Sequence, residues 1–480
     1  MPFARRLSRR QFLQTSLAGS LAAGLGLGAE APAHDIAVAA AGHLAGSSRP
    51  VLRLLLPEGS ESNLQPIIDE FDAATGVRIE TLTTGVDDIN TVLLLDRLTG
   101  RSRCDVALPA TFGIPDLAEA GALQPLDDYA RRYEPAGYQA DSLYAIGDFY
   151  AGRLYGYQAD GDVYLLFYNA AFLEDEKNRA AYADRYGESL GVPGSWQELD
   201  RQLQFFHDPA HGRFGGALFR TPRYIAWEWW MRLHSKGAVP FDTDMRPTIA
   251  GDAGVAALEE LTSATRYLCA SSRSNNLFEN WQEFSSGRIF CNLGWGGSQK
   301  YFRRHSQNFP RGLVFGHAPG NEGRGKQDAM SFFNWGWNYA VPSGSASPEL
   351  AYLFALYASS PGMSTLAVRQ PDGFFDPVRE SHYADPEIEQ VYSRPFLEAH
   401  RQAMRAAVPD LYLRGQGDYF AALSDYVIQA DRRMLTPREA MQAVAKLWDE
   451  TTDRLGRDEQ VRQWHALLER YPASLRPRSA

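Results

Sequence analysis

Hydrophobic positions change period several times along the chain. Val51-Leu52-Arg53-Leu54-Leu55-Leu56 is a short apolar run of strand type. The turn Pro57-Glu58-Gly59-Ser60-Glu61-Ser62-Asn63 leads into a stretch where Leu64, Ile67, Ile68, Phe71 and Ala74 recur at helical spacing, and Gly76 ends it. Val77 and Ile79 then alternate with Arg78 and Glu80, a second helix is predicted over 88–98, and Val106-Ala107-Leu108 precedes Pro109. Strand, helix, strand, helix, strand reads as a parallel α/β layer. Ligands of open parallel sheets bind beyond the carboxyl ends of the strands, so the turns at Gly59-Ser60-Glu61 and Ala110-Thr111 fall on the functional edge. The far end is helical: 418–431 and 437–454 both keep a 3.6-residue period, as in Ala440, Val444, Leu447 and Thr451. The chain has no internal repeat and no long linker, and at 480 residues it implies two or three domains joined by strand-like crossings.

The first residues follow a different logic. Arg5, Arg6, Arg9 and Arg10 precede an apolar run over 17–29, the length of an export h-region and too short and glycine-rich to span a membrane. Ser8-Arg9-Arg10-Gln11-Phe12-Leu13-Gln14 resembles the twin-arginine export signal. Ala31-Pro32-Ala33 offers a cleavage motif that makes 1–33 a signal peptide; Ala37-Val38-Ala39 is an equal alternative and extends it to about 39. Neither has a cysteine nearby for a lipid anchor, so a free periplasmic protein is expected.

Removing 1–33 deletes four arginines and one glutamate and takes the formal charge from −10 to −13. An acidic protein without a basic cluster is a poor partner for nucleic acid or anionic lipid. Cys104, Cys269 and Cys291 leave room for one bridge in an oxidising compartment, with Cys269–Cys291 the better pair, or for three buried thiols. Overall composition is that of a globular protein, and an aromatic share of 12% mildly favours handling something flat and partly apolar.

The order of segments resembles the extracellular solute-binding proteins of ABC importers, in the branch that takes sugars and oligosaccharides. The resemblance is carried by Ile67-Ile68-Asp69-Glu70-Phe71-Asp72-Ala73-Ala74-Thr75-Gly76-Val77, by Cys104-Asp105-Val106-Ala107 and by Leu117-Ala118-Glu119-Ala120-Gly121-Ala122-Leu123. Gly152-Arg153-Leu154-Tyr155-Gly156-Tyr157, Leu165-Leu166-Phe167-Tyr168-Asn169, Phe284-Ser285-Ser286-Gly287-Arg288 and Asn292-Leu293-Gly294-Trp295 add to it, as does Tyr339-Ala340-Val341-Pro342-Ser343 before a helix at 348–359. It implies a two-lobed periplasmic-binding-protein fold of type II-like α/β lobes, joined by crossing hinge segments with the ligand cleft between them. The lobes implied are 45–158 plus 319–363 and 159–318 plus 364–480.

A sugar site needs acids or amides for hydroxyl edges and aromatic rings for C–H faces. Trp335 and Trp337, with Gly336 between them, share one face if the segment is a strand. That face is either core or docking platform, and the resemblance places Trp335 at the cleft edge. Trp295 stands between Gly294 and Gly296 with little side-chain bulk to bury the indole, and the resemblance implies that it opens a ligand-facing helix, with Gly296 at its start. Trp227 and Glu228 are a further candidate pair, as against Trp230, which pairs with Leu233 in a core pattern. Asp160 and Asp162 follow the first crossing, where the resemblance implies a polar contact; a solvated turn is the alternative. Ser60, Glu61 and Thr111 complete the set from the strand-end turns.

Other motifs fail. His207 and His211 have helical zinc spacing, but Pro209 makes the segment a turn; Asp242-Thr243-Asp244 is too short for a calcium loop. Gly294-Trp295-Gly296-Gly297-Ser298 lacks the lysine of a phosphate loop, and no nucleophile–histidine–acid set stands out. The expectation is therefore a periplasmic monomer without cofactor or resident metal. It would capture a carbohydrate or polyol by hinge closure and deliver it to an inner-membrane permease, with no catalytic residue assigned. The alternatives are a binder of a small amine, organic acid or metal complex, and a secreted polysaccharide hydrolase or lyase using an acid pair.

Overall fold

The computed structural model describes residues 31–222, 224–320, 332–333 (backbone alone) and 336–476. The chain divides into two compact units, Met1–Gly161 with Trp335–Val391 and Asp162–Asn334 with Tyr392–Ala480.

The first unit is built on a five-stranded sheet in the order Arg78–Thr84, Val51–Pro57, Val106–Ala107, Asn338–Ala340, Gly156–Gln158. The first three strands are parallel, with Leu55 opposite Leu82 and Leu54 opposite Val106. Val51–Pro57 has a neighbour on each side and buries Leu52, Leu54, Leu55 and Leu56, which is why its sequence runs apolar without alternating. The edge strand does alternate: Ile79 is buried between exposed Arg78 and Glu80, whose charges blunt an open edge. Asn338–Ala340 arrives from far along the chain and pairs antiparallel with both of its neighbours.

Helix Glu61–Thr75 buries Leu64, Ile67, Ile68 and Phe71 and stops where Gly76 takes a left-handed conformation, φ +72°. The Phe71 ring meets Phe354 and Tyr357, centroids 5.2 and 5.0 Å away, on helix Pro348–Ala358. That helix is buried from Leu350 to Ala358, and its cover includes helix Ala33–Ala45, whose Ile36, Ala37, Ala40 and Ala41 are themselves buried.

Residues 364–391 stay with the first unit rather than passing to the second, a correction to the expected boundary. Several bonds hold them there: Asn63 Nδ2 donates to the Ala367 carbonyl at 2.8 Å, Asn63 Oδ1 accepts from the Phe374 N–H at 2.9 Å, and Arg379 donates to the Ser359 carbonyl at 2.6 Å. Gly320, expected in the first lobe, bonds through its N–H to the Gly194 carbonyl at 3.0 Å and belongs to the second.

The second unit carries a four-stranded sheet in the order Leu313–His317, Leu165–Asn169, Ile289–Gly294, Phe214–Ala217. The first two pairings are antiparallel and the last is parallel. Helix Tyr224–Ser235 is buried along its whole length, and Asp252–Ala264 and Gln416–Asp431 pack on it. Gln416–Asp431 and Pro437–Leu455 match the two C-terminal helices that the periodicity predicts, and Arg457–Leu468 adds a third.

The expected Cys269–Cys291 bridge is not formed. Both residues, like Cys104, are free buried thiols, and burial raises the pKa of each. Cys269 Sγ lies 3.2 Å from Ser272 Oγ instead. Among the described residues no helix is long and apolar enough to cross a membrane.

Candidate ligand-binding site

In the first unit the strand-end turns are polar and closely bonded. Beyond Pro57, Ser60 is buried and its Oγ donates to the Pro57 carbonyl at 2.7 Å. Glu61 is exposed, and its Oε2 accepts from the Gly59 N–H at 2.7 Å. Beyond Ala107, Ala110 pairs with Trp337 as an isolated bridge, and the Thr111 N–H donates to the Gly336 carbonyl at 3.1 Å.

The buried Thr111 hydroxyl donates to Asn338 Oδ1 at 2.7 Å, and Asn338 Nδ2 donates to Asp148 Oδ1 at 2.8 Å. Gln139 Nε2 donates to the other Asp148 oxygen at 2.7 Å. Burial drives the Asp148 carboxyl well above its ordinary pKa, against the lowering pull of the Gln158 backbone N–H and of Arg379. Gly147 keeps this network closed, since a Cβ there would stand 2.5 Å from Asn338 Oδ1.

Asp160 is wholly buried, and its Oδ1 accepts from the Asp376 N–H at 2.5 Å. The Asp160 and Asp376 carboxylates offer oxygens within 4.8 Å of one another, close enough to share a cation. Trp337 is 2% exposed and packs inward, with the Phe374 ring 6.3 Å from its own. Trp335, the other indole of that pair, lies outside the described residues.

In the second unit the strand ends are aromatic. Leu165 stands opposite Gly294 in the sheet, so Tyr164 and Trp295, one residue beyond each, meet with centroids 4.4 Å apart. Ala217 stands opposite Asn292, which brings Phe219 to 6.2 Å from Trp295. Tyr224 stacks on Phe219 at 4.6 Å and meets Trp227 edge-on at 5.5 Å; Trp227 in turn lies 6.4 Å from Tyr164. Trp295 caps helix Gly296–Arg304, and its backbone N–H donates to Ser298 Oγ at 3.2 Å. Asp162, also of this unit, is buried.

Glu228, the residue after Trp227, is engaged within its own unit. Its oxygens are held by Arg220, at 2.6 Å, and by Arg232 Nε, at 3.0 Å, with all three side chains sealed from solvent. Burial alone would raise its carboxyl, but the two guanidinium charges outweigh that and hold it below its ordinary value. The same Arg220 donates to the Phe219 carbonyl at 2.7 Å, so this ion pair sets the backbone under the aromatic group.

Sequence reasoning missed Asp148, Asn338, Phe374 and Asp376 in the first unit and Tyr164, Phe219, Tyr224 and Asp410 in the second. Tyr164 was within reach, because it precedes the apolar run Leu165-Leu166-Phe167-Tyr168; Phe219 was not, because the strand before it, Phe214–Ala217, holds two glycines and shows no period. Asp410 had no such signal: it follows the two-residue strand Val408–Pro409. Burial pushes its carboxyl up to about 7 against the pull of the Leu411 N–H, the Gln416 amide and Trp227.

Residues 57–364 match the family described as bacterial extracellular solute-binding protein. A probable amino-acid ABC transporter periplasmic-binding protein, y4oP, from Sinorhizobium fredii (strain NBRC 101917 / NGR234) is 25% identical, over 77% of this chain and 82% of that one. Among solved structures, an ABC transporter solute-binding protein of Agrobacterium vitis S4 with bound D-mannitol is similar at TM-score 0.68 and 19% identity, over 85% of this chain and 99% of that one. Maltose-bound MalE3 of T. maritima is similar at TM-score 0.69 and 16% identity, over 84% and 99%. These two likenesses agree with the α/β architecture of the units, and the family match covers well over half of the chain. The chain belongs to the bacterial extracellular solute-binding proteins.

Proposed function

We propose that the solute is a carbohydrate or polyol, which this protein captures outside the cytoplasm and delivers to the permease of an ABC importer. The observation that carries this reading is the group of five rings, Tyr164, Phe219, Tyr224, Trp227 and Trp295, at the strand ends of the second unit. Aromatic faces match sugar C–H faces, while hydroxyls, amides and carboxyls like those of the first unit match sugar hydroxyls. The similar structures with bound D-mannitol and maltose support the same class. Hinge closure would couple capture to delivery, because contacts made from each unit favour the closed form. The protein acts as a monomer and assigns no residue to covalent chemistry.

A second reading is favoured by one observation: the relative y4oP is named for an amino acid. Rings together with the Asp410 carboxyl also suit an ammonium group. Thermal midpoints and tryptophan fluorescence of the protein against D-mannitol, D-tagatose, maltose and a set of amino acids separate the two. A midpoint rise with a sugar or polyol alone supports the first reading, and a rise with an amino acid alone supports the second.

Export by the twin-arginine route, with cleavage after Ala33, completes the proposal. The alternative motif Ala37-Val38-Ala39 sits inside helix Ala33–Ala45, where Ile36, Ala37, Ala40 and Ala41 are buried. Cutting there would remove half of a packed helix. The intact mass of the exported protein tests this directly: a chain beginning at His34 is expected, and one beginning at Ala40 contradicts it.

A further inference from the structure

We propose that Phe374 is a stacking surface for the solute in the first unit, set in place by Asn63 and Asp160. This rests on the carbohydrate reading above. Phe374 lies in Gln370-Pro371-Asp372-Gly373-Phe374-Phe375-Asp376-Pro377, the loop that follows helix Pro361–Arg369. Loops of this composition ordinarily follow the surface and move.

This one is pinned on both sides of Phe374. Asn63, wholly buried in the first turn of its helix, spends both ends of its amide on this segment. Its Nδ2 donates to the Ala367 carbonyl at 2.8 Å, and its Oδ1 accepts from the N–H groups of Phe374 and Phe375, at 2.9 and 3.4 Å. Gly373 passes so close that a Cβ would stand 2.0 Å from Asn63 Oδ1. Beyond Phe374, the Asp376 N–H donates to Asp160 at 2.5 Å.

The two neighbours on the carboxyl side, Phe375 and Asp376, are both 0% exposed, yet the Phe374 ring keeps part of its surface open. It stands beside Trp337, which pairs with Ala110 at the strand-end turn. The backbone around this ring is therefore ordered before any solute arrives, which lowers the entropic cost of stacking on it. A phenyl face so held fits the C–H face of a pyranose or the carbon chain of a polyol. Asn63 and Asp160 act as positioning residues, and Asp160 serves the loop backbone.

The test is titration of D-mannitol, D-tagatose and maltose into the wild-type protein and into Phe374→Ala, Phe374→Tyr and Asn63→Ala. For a sugar that the wild type binds, Phe374→Ala should raise Kd about fivefold to tenfold. Phe374→Tyr should restore it, and the unliganded midpoint of both should stay near that of wild type. Asn63→Ala should raise Kd and speed amide exchange at Phe374 and Phe375. An unchanged Kd in Phe374→Ala, or a loss that tyrosine does not rescue, overturns this inference and leaves the carbohydrate reading standing. A wild type that binds none of the three sugars overturns both.

Discussion

In the first unit hydroxyls, amides and carboxyls are bonded to one another or to backbone: Ser60 and Thr111 from the turns beyond parallel strands, with Asn338, Asp148 and Asp160 from other segments. In the second unit the strand ends carry rings, and the Arg220–Glu228–Arg232 set is bonded to the Phe219 backbone beside them. Both units use an open sheet with candidate groups along the edge formed by its strand ends. One invests that edge in directional hydrogen bonds and the other in apolar area. A solute with hydroxyl edges and C–H faces would match both chemistries.

The largest effect should come from Glu228→Ala. It leaves the Arg220 guanidinium buried without its counter-charge, while Arg232 keeps Asp200 at 2.8 Å, and breaking a buried pair in this way costs about 3–5 kcal/mol. Unfolding of the solute-free protein would register it, whereas Glu61→Ala, on an exposed turn of the first unit, should change little. If Glu228→Ala instead unfolds like wild type and loses solute, Glu228 is a ligand group after all.

Asp410 gives a pH signature. Its ordinary value is 3.8, and burial takes it to about 7 in the folded chain. Between those values the folded state holds a proton that the unfolded state has released, so stability falls as pH rises through the window. Each unit of difference is worth about 1.4 kcal/mol. Asp410→Asn should remove this slope, which midpoints measured from pH 4 to 7 would reveal. His382 of the first unit runs the other way: burial, helped by the Arg379 charge, lowers it to about 3, so its contribution is lost as pH falls below its ordinary value of 6.5.

Trp295→Ala should cost about 2 kcal/mol of solute binding and alter the fluorescence response, as expected for a central aromatic contact. Thr111→Val is the first unit's counterpart. It removes a single donor to Asn338 and should cost about 0.5–1.5 kcal/mol of stability. Equal losses of affinity from both would erase the contrast between rings and polar groups.

The first three strands, the helix after the first of them and the two long C-terminal helices were legible, because their periods persist for several turns or alternations. Asn338–Ala340 was not, since three residues are too few to show a period and the pairing partners lie far off in sequence. Thr111 and Ser60 could be placed by the strand-end rule. Glu228 could not be judged, because its partner Arg220 precedes the helix and the ion pair depends on tertiary packing. The 370–377 loop falls in the other unit from the one expected for the same kind of reason: side chains far off in sequence, Asn63 and Asp160, bond its backbone.

The central claim is best tested by native mass spectrometry of the protein after incubation with an equimolar mixture of D-mannitol, D-tagatose, maltose and amino acids. The account predicts a single retained sugar or polyol, released at its original mass. Retention of an amino acid alone, or a saccharide released in shortened form, would contradict it.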